Sequence, residues 1–211
     1  MKIIALNGHN RHTTYFFYLW LILAVIFSMS FTALPDDPPA SAGQDATICE
    51  GQNHPLSAAT APKAARLFWT TSGTGSFNKP AILNPTYKPS TKDAVAGSVT
   101  LTLKVTGPEG QPDTTCSMVL TIMRSPRVYA GGGDAIRPGE SYMLSYSTAE
   151  NYTELTWSTS GSGFFNDFHD LHPTYTPSAE DIRFGSVTLT LTAKGKGNCP
   201  PAVSDMVLNI N

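Results

Sequence analysis

The chain has 211 residues, 14% of them charged, and a formal net charge of −2. An average soluble protein carries ~25% charged residues; here Ser and Thr fill the difference, and Thr suits a pleated, half-buried surface. There is no basic stripe, so nucleic acid is excluded as an expected partner, because phosphate binding needs clustered Lys and Arg.

In chain order, Lys2, Arg11 and two histidines precede the apolar run YFFYLWLILAVIF (Tyr15–Phe27), and small and polar residues follow. A basic, then apolar, then polar order predicts a secretory signal peptide over residues 1–33, cut near Ser30–Ala33. The alternative is an uncleaved anchor, since Tyr15 to Leu34 is long enough to span a bilayer. Either leaves the remainder outside the cytoplasm. Membrane contact is expected only through this segment, and only if it stays attached. A Pro-rich linker, LPDDPPASA, occupies 34–42.

From there the chain repeats itself. LFWTTSGTGSFN (Leu67–Asn78) returns as LTWSTSGSGFFN (Leu155–Asn166), with Trp69 and Trp157 88 residues apart. Between Trp69 and Gly107, 22 of 39 positions match those 88 residues later without a gap. The offset also joins Leu56 to Leu144 and MVLTI (Met118–Ile122) to MVLNI (Met206–Ile210). One unit therefore occurs twice, over 43–125 and 128–211, each long enough for a modest core of its own.

Within a unit the strands are plain. Leu67 and Trp69 share a parity, as do Leu155 and Trp157, so both Trp side chains point inward and Phe68 points out. The Ser-Gly-x-Gly stretches at 72–75 and 160–163 are predicted turns, their glycines supplying positive φ. Prolines on either side confine Tyr87 and Tyr175 to short, edge-like core segments. STKDAVAG and SAEDIRFG each predict one helical turn from a Ser cap to a Gly stop. Val99, Leu101, Leu103 and Val105 alternate with polar residues, as do Val187, Leu189, Leu191 and Ala193. About seven short strands around one buried Trp predict an all-β fold: two tandem immunoglobulin-like antiparallel sandwiches, with Trp69, Trp157, Tyr87 and Tyr175 as core.

These stretches, AGQDATICEG, WTTSGTGSFN, PTYKPSTKDAVAGSVTLTL and PTYTPSAEDIRFGSVTLTLTAKGKGNC, resemble the PKD-like, immunoglobulin-like repeats of secreted Bacteroidetes proteins. Those proteins are multi-repeat and often gliding-motility-associated. The resemblance covers nearly all of 43–211. It implies extracellular spacer or adhesion modules without catalytic residues, meeting surface glycans or other cell-surface proteins. Such proteins usually end in a sorting domain, and these residues stop after a closing strand; a truncated frame and a short family member both fit.

Three cysteines remain, and pairing is expected in an exported protein. Cys116 has the inward parity of Met118 on the last strand of the first unit. First and last strands of such sandwiches are commonly neighbours, so Cys49–Cys116 is the expected disulfide. Cys199 is left over in a Pro-rich loop, free or intermolecular.

Candidates for chemistry are few. His169, Asp170 and His172 lie beside Asp167, a set that can hold metal. The first unit has Ala81, Ile82, Leu83 and Asn84 at the matching positions of 169–172, so a bland loop is the better reading. Asp93 and Asp181 recur beside a turn and are expected to bond its backbone. Tyr152, Phe164 and Phe168 have no aromatic counterpart in the first unit. If they form one flat exposed surface, a carbohydrate-binding module becomes the alternative function. No nucleophile-elbow pattern is present. The expectation is a non-enzyme with no cofactor, metal or catalytic residue.

Overall fold

The alternating pattern becomes the same seven strands twice, and the second unit adds a two-stranded ribbon. The computed structural model describes residues 39–61, 64, 66–109 and 112–211; the predicted signal segment and the start of the linker lie outside them. In the first unit the strands are β1 (Ala46–Cys49), β2 (His54–Pro55), β3 (Arg66–Thr71), β4 (Ser76–Phe77), β5 (Thr86–Lys88), β6 (Ser98–Thr106) and β7 (Thr114–Met123). A helix, α1 (Thr91–Ala96), precedes β6. One sheet has the order β1-β7-β6-β3 and the other β2-β5-β4.

The second unit starts with a ribbon, β8 (Arg127–Tyr129) against β11 (Thr148–Glu150). Its four-stranded sheet has the order β12-β15-β16-β9, from β9 (Asp134–Ile136), β12 (Tyr152–Thr159), β15 (Ser186–Gly195) and β16 (Ala202–Ile210). Its three-stranded sheet is β10-β14-β13, from β10 (Tyr142–Met143), β13 (Phe164–Phe165) and β14 (Thr174–Thr176), and α2 (Ala179–Phe184) precedes β15.

The two sheets of each unit fill one core. Trp69, Leu101, Leu103 and Leu120 meet Leu56 and Tyr87 in the first; Trp157, Leu189, Leu191 and Leu208 meet Leu144 and Tyr175 in the second. Tyr87 and Tyr175 are fully buried, and Trp69 and Trp157 nearly so. The Trp-to-Phe-to-Tyr ladder is the same in both: Trp69–Phe77 at 5.9 Å and Phe77–Tyr87 at 5.0 Å, then Trp157–Phe165 at 6.0 Å and Phe165–Tyr175 at 5.0 Å. Tilted aromatic pairs at such spacing add to their area burial. These are two immunoglobulin-like β-sandwiches in tandem.

Three sequence expectations change. The sheets are not wholly antiparallel: β1 runs parallel to β7, and β9 parallel to β16. Tyr87 and Tyr175 are not on edges, because β5 and β14 are the middle strands of their sheets; the flanking prolines shorten these strands without exposing them. The first core also begins before Gly43. Ala42 is 2% exposed, and Ser41 bridges Thr60 as Tyr129 pairs with Thr148 in the second unit.

Candidate functional site

The most tightly bonded polar group in each unit is a buried carboxylate. Ser90 caps α1 and Asp93 sits three residues on, so each side chain takes the other's backbone N–H. Gly97 then stops the helix at φ 83, a left-handed conformation that costs glycine little. Asp93 reaches further. It accepts from Thr74 N at 2.8 Å, Gly75 N at 2.9 Å and the Tyr87 hydroxyl at 2.8 Å. One carboxylate thus ties the helix, the Ser-Gly-x-Gly turn and the middle strand together.

The second unit repeats this arrangement. Asp181 accepts from Ser162 N at 2.9 Å, Gly163 N at 2.9 Å, Tyr175 Oη at 2.8 Å and Ser178 N at 2.9 Å. Burial would push both carboxyls up, but the donors from the cap, the turn and the Tyr hydroxyl outweigh it and hold both below the ordinary value. The Tyr175 hydroxyl moves the other way, pushed up to about 12 by burial and by its bond to Asp181. An ionised carboxylate offers about four acceptor positions, and the fold occupies them. The expected bond from Asp to turn backbone is present in both copies.

The glycines of this turn are required for a reason other than the expected one. Gly75 and Gly163 do not have positive φ. A Cβ on Gly75 would lie 2.5 Å from Lys88 O and 2.7 Å from Asp93 Oδ2; on Gly163 it would lie 2.5 Å from Thr176 O and 2.7 Å from Asp181 Oδ2. Close approach to the carboxylate, not backbone handedness, excludes a side chain here.

The His-rich loop is braced by backbone. His169 Nδ1 meets Leu155 O at 2.7 Å and His172 Nε2 meets Ser147 O at 3.1 Å. A carbonyl only accepts, so each of these nitrogens carries its proton. Asp167 and Asp170 accept from His169 N and His172 N within the loop. Among the described residues, no group of three or more His, Cys, Asp or Glu is placed to hold a metal ion. Ser147, where the first unit has Ala59, has its one hydroxyl proton within reach of Leu144 O and Leu171 O.

The three extra aromatics do not make one platform. Tyr152 opens β12, while Phe164 follows the turn at the far end of that strand and lies in the other sheet. Seven residues of strand separate the two ends of β12, ~23 Å at ~3.3 Å per residue. Phe168 lies instead against His169, with centroids 4.2 Å apart and the rings tilted by 42°.

The disulfide is the largest correction: Cys49 is joined to Cys199, with Cα atoms 5.5 Å apart, and Cys116 is the free thiol. The expectation was right that first and last strands are neighbours and wrong about their sense. In parallel register Cys49 stands beside Met123, at the C-terminal end of β7. Cys116 lies near the other end, paired with Leu103. Seven residues of strand, ~23 Å, put it beyond the ~4.4–6.8 Å a disulfide spans. Burial raises the Cys116 thiol pKa.

Cys49–Cys199 therefore joins the two units. It sits at their junction, where only Arg124, Ser125 and Pro126 separate β7 from β8. Glu50 accepts from Ser125 N at 3.2 Å and lies 3.4 Å from Arg127 Nη2. Asn151, held at φ 57, donates to Ser125 O at 3.4 Å. A sequence reading had no way to find this site: the relevant signal is a register between elements far apart in the chain.

No family model and no curated protein matches the chain. Similar solved structures include extracellular cadherin domains 3–6 of protocadherin gamma B2, 18% identical over 83% of this chain and 47% of that one, at a TM-score of 0.45. Mouse cadherin-23 EC22–24 is 12% identical over 80% and 63% of the two chains, at 0.44. A three-immunoglobulin-domain variant of titin is 16% identical over 82% and 64%, at 0.42. The chain spans about half the length of the first and under two thirds of the others. At these TM-scores the likenesses add nothing to the architecture read from the sheets.

Proposed function

We propose that residues 43–125 and 128–211 form two modules of a non-enzymatic extracellular spacer or adhesion stalk, of the kind the PKD-like motifs imply. The observation that carries this reading is the inter-unit disulfide. It fixes the spacing of the modules. A structural disulfide also belongs to an oxidising compartment, which agrees with export by the segment 1–33. The recurring carboxylates and the loop imidazoles serve the scaffold, which supports a non-enzymatic role. Partners are expected on other cell-surface proteins or glycans, met through the outer sheet faces or loops.

Small-angle scattering on the exported, oxidised chain tests the spacer reading. Two bodies at one narrowly distributed separation are expected. A broad distribution of separations would refute a fixed spacer. Cys49 and Cys199 found reduced in the protein recovered from its native location would refute the extracellular one.

A further inference from the structure

We infer that Cys49–Cys199 is a mechanical shunt that carries tension past most of both sandwiches, leaving only β1 and β16 of their strands in the load path. Along the backbone the two cysteines are 150 residues apart. That stretch holds β2 through β15, and with them Trp69, Tyr87, Trp157 and Tyr175. Through the sulfurs the Cα atoms are 5.5 Å apart. Tension entering before Cys49 and leaving after Cys199 takes the short covalent route: along β1, across the disulfide, along β16.

This route has little slack, because β1 and β16 are already extended strands. It is also well anchored at both ends. β1 is paired with β7 from Ala46 to Cys49, and β16 is paired with both β15 and β9. Without the disulfide, the same load would cross both sandwiches and the linker at 124–126 in series. The pairing matters: a Cys49–Cys116 bond would bypass strands of the first unit alone, whereas the observed one bypasses β2 to β7 of the first and β8 to β15 of the second. Cys49 is 8% and Cys199 6% exposed, which restricts the access that thiol exchange requires. The shunt deepens the spacer reading and rests on it for the claim that the chain bears load.

Single-molecule pulling of the full chain by its two termini tests the shunt. At full extension the oxidised chain should be shorter than the reduced, alkylated chain by ~500 Å, the length of the bypassed stretch at ~3.4 Å per residue. It should also show no step that releases the length of a whole unit. The Cys199→Ser variant should show two such steps. Should that variant fail to fold, the length difference in the unaltered chain still decides. Equal lengths, or whole-unit steps in the oxidised chain, would overturn the shunt. So would a difference of about half the expected size, which would mean that Cys116 is in the bond. A chain found in a reducing compartment would sink the spacer reading and leave the length difference in oxidised protein intact.

Discussion

The two units differ least around the buried carboxylate and most at the junction and in the loop after the Gly-rich turn. Asp93 and Asp181 have matching donors, to within 0.1 Å. By contrast Cys49 corresponds to Arg137, Ala59 to Ser147 and Asn84 to His172. What is the same in both copies is what a single sandwich needs in order to close. What differs concerns how a unit meets its neighbour or braces one loop. The carboxylate is therefore a scaffold group, and the second unit's histidines are a local elaboration.

The comparison breaks most severely if the two cores are not separate. Trp157→Ala should cost ~3–5 kcal/mol through transfer and cavity terms and unfold the second unit. The first should stay folded, with its Trp69 fluorescence unchanged in a thermal scan. Joint melting of both units would show one cooperative body.

Next in size is the carboxylate. Asp93→Asn or Asp181→Asn leaves buried N–H and O–H donors facing an amide and should cost ~3 kcal/mol in its own unit. Matched losses by denaturant titration would confirm that the two sites are equivalent. The pH dependence has a definite sign. Both carboxyls have folded pKa values below the ordinary 3.8. Their stabilisation is present above that value and is lost as pH falls through the lower folded pKa. Denaturation midpoints should therefore drop below about pH 4, and the Asn variants should lose much of that slope.

Smaller effects follow. Gly163→Ala should cost ~1–3 kcal/mol by overpacking against Thr176 O and Asp181. A variant as stable as the parent would show that the turn can move away. His172→Ala removes one bond to Ser147 O and should cost ~1 kcal/mol, making this loop resemble Ala81–Asn84. A larger loss, or a melting temperature that responds to zinc in the parent and not in the variant, would give the histidines more than a bracing role.

Much of this was legible in the sequence because it depends on neighbours along the chain. Side-chain alternation in a strand has period 2, so Val99 to Val105 declare a buried face by themselves. The Ser90–Asp93 and Ser178–Asp181 caps lie within one helical turn and can be read locally. The 88-residue offset establishes that whatever the first unit forms, the second forms too. Tertiary structure decided the remainder. Composition does not show that β1 would lie parallel to β7, and that one choice carries Cys49 away from Cys116 and towards Cys199. Only packing shows that Gly75 must lack a side chain because Asp93, eighteen residues later, comes against it. Tyr87 looks like an edge residue beside its prolines until β2 and β4 close on both sides of it. Local geometry is set by sterics within a few bonds, whereas these outcomes depend on which distant surfaces bury each other.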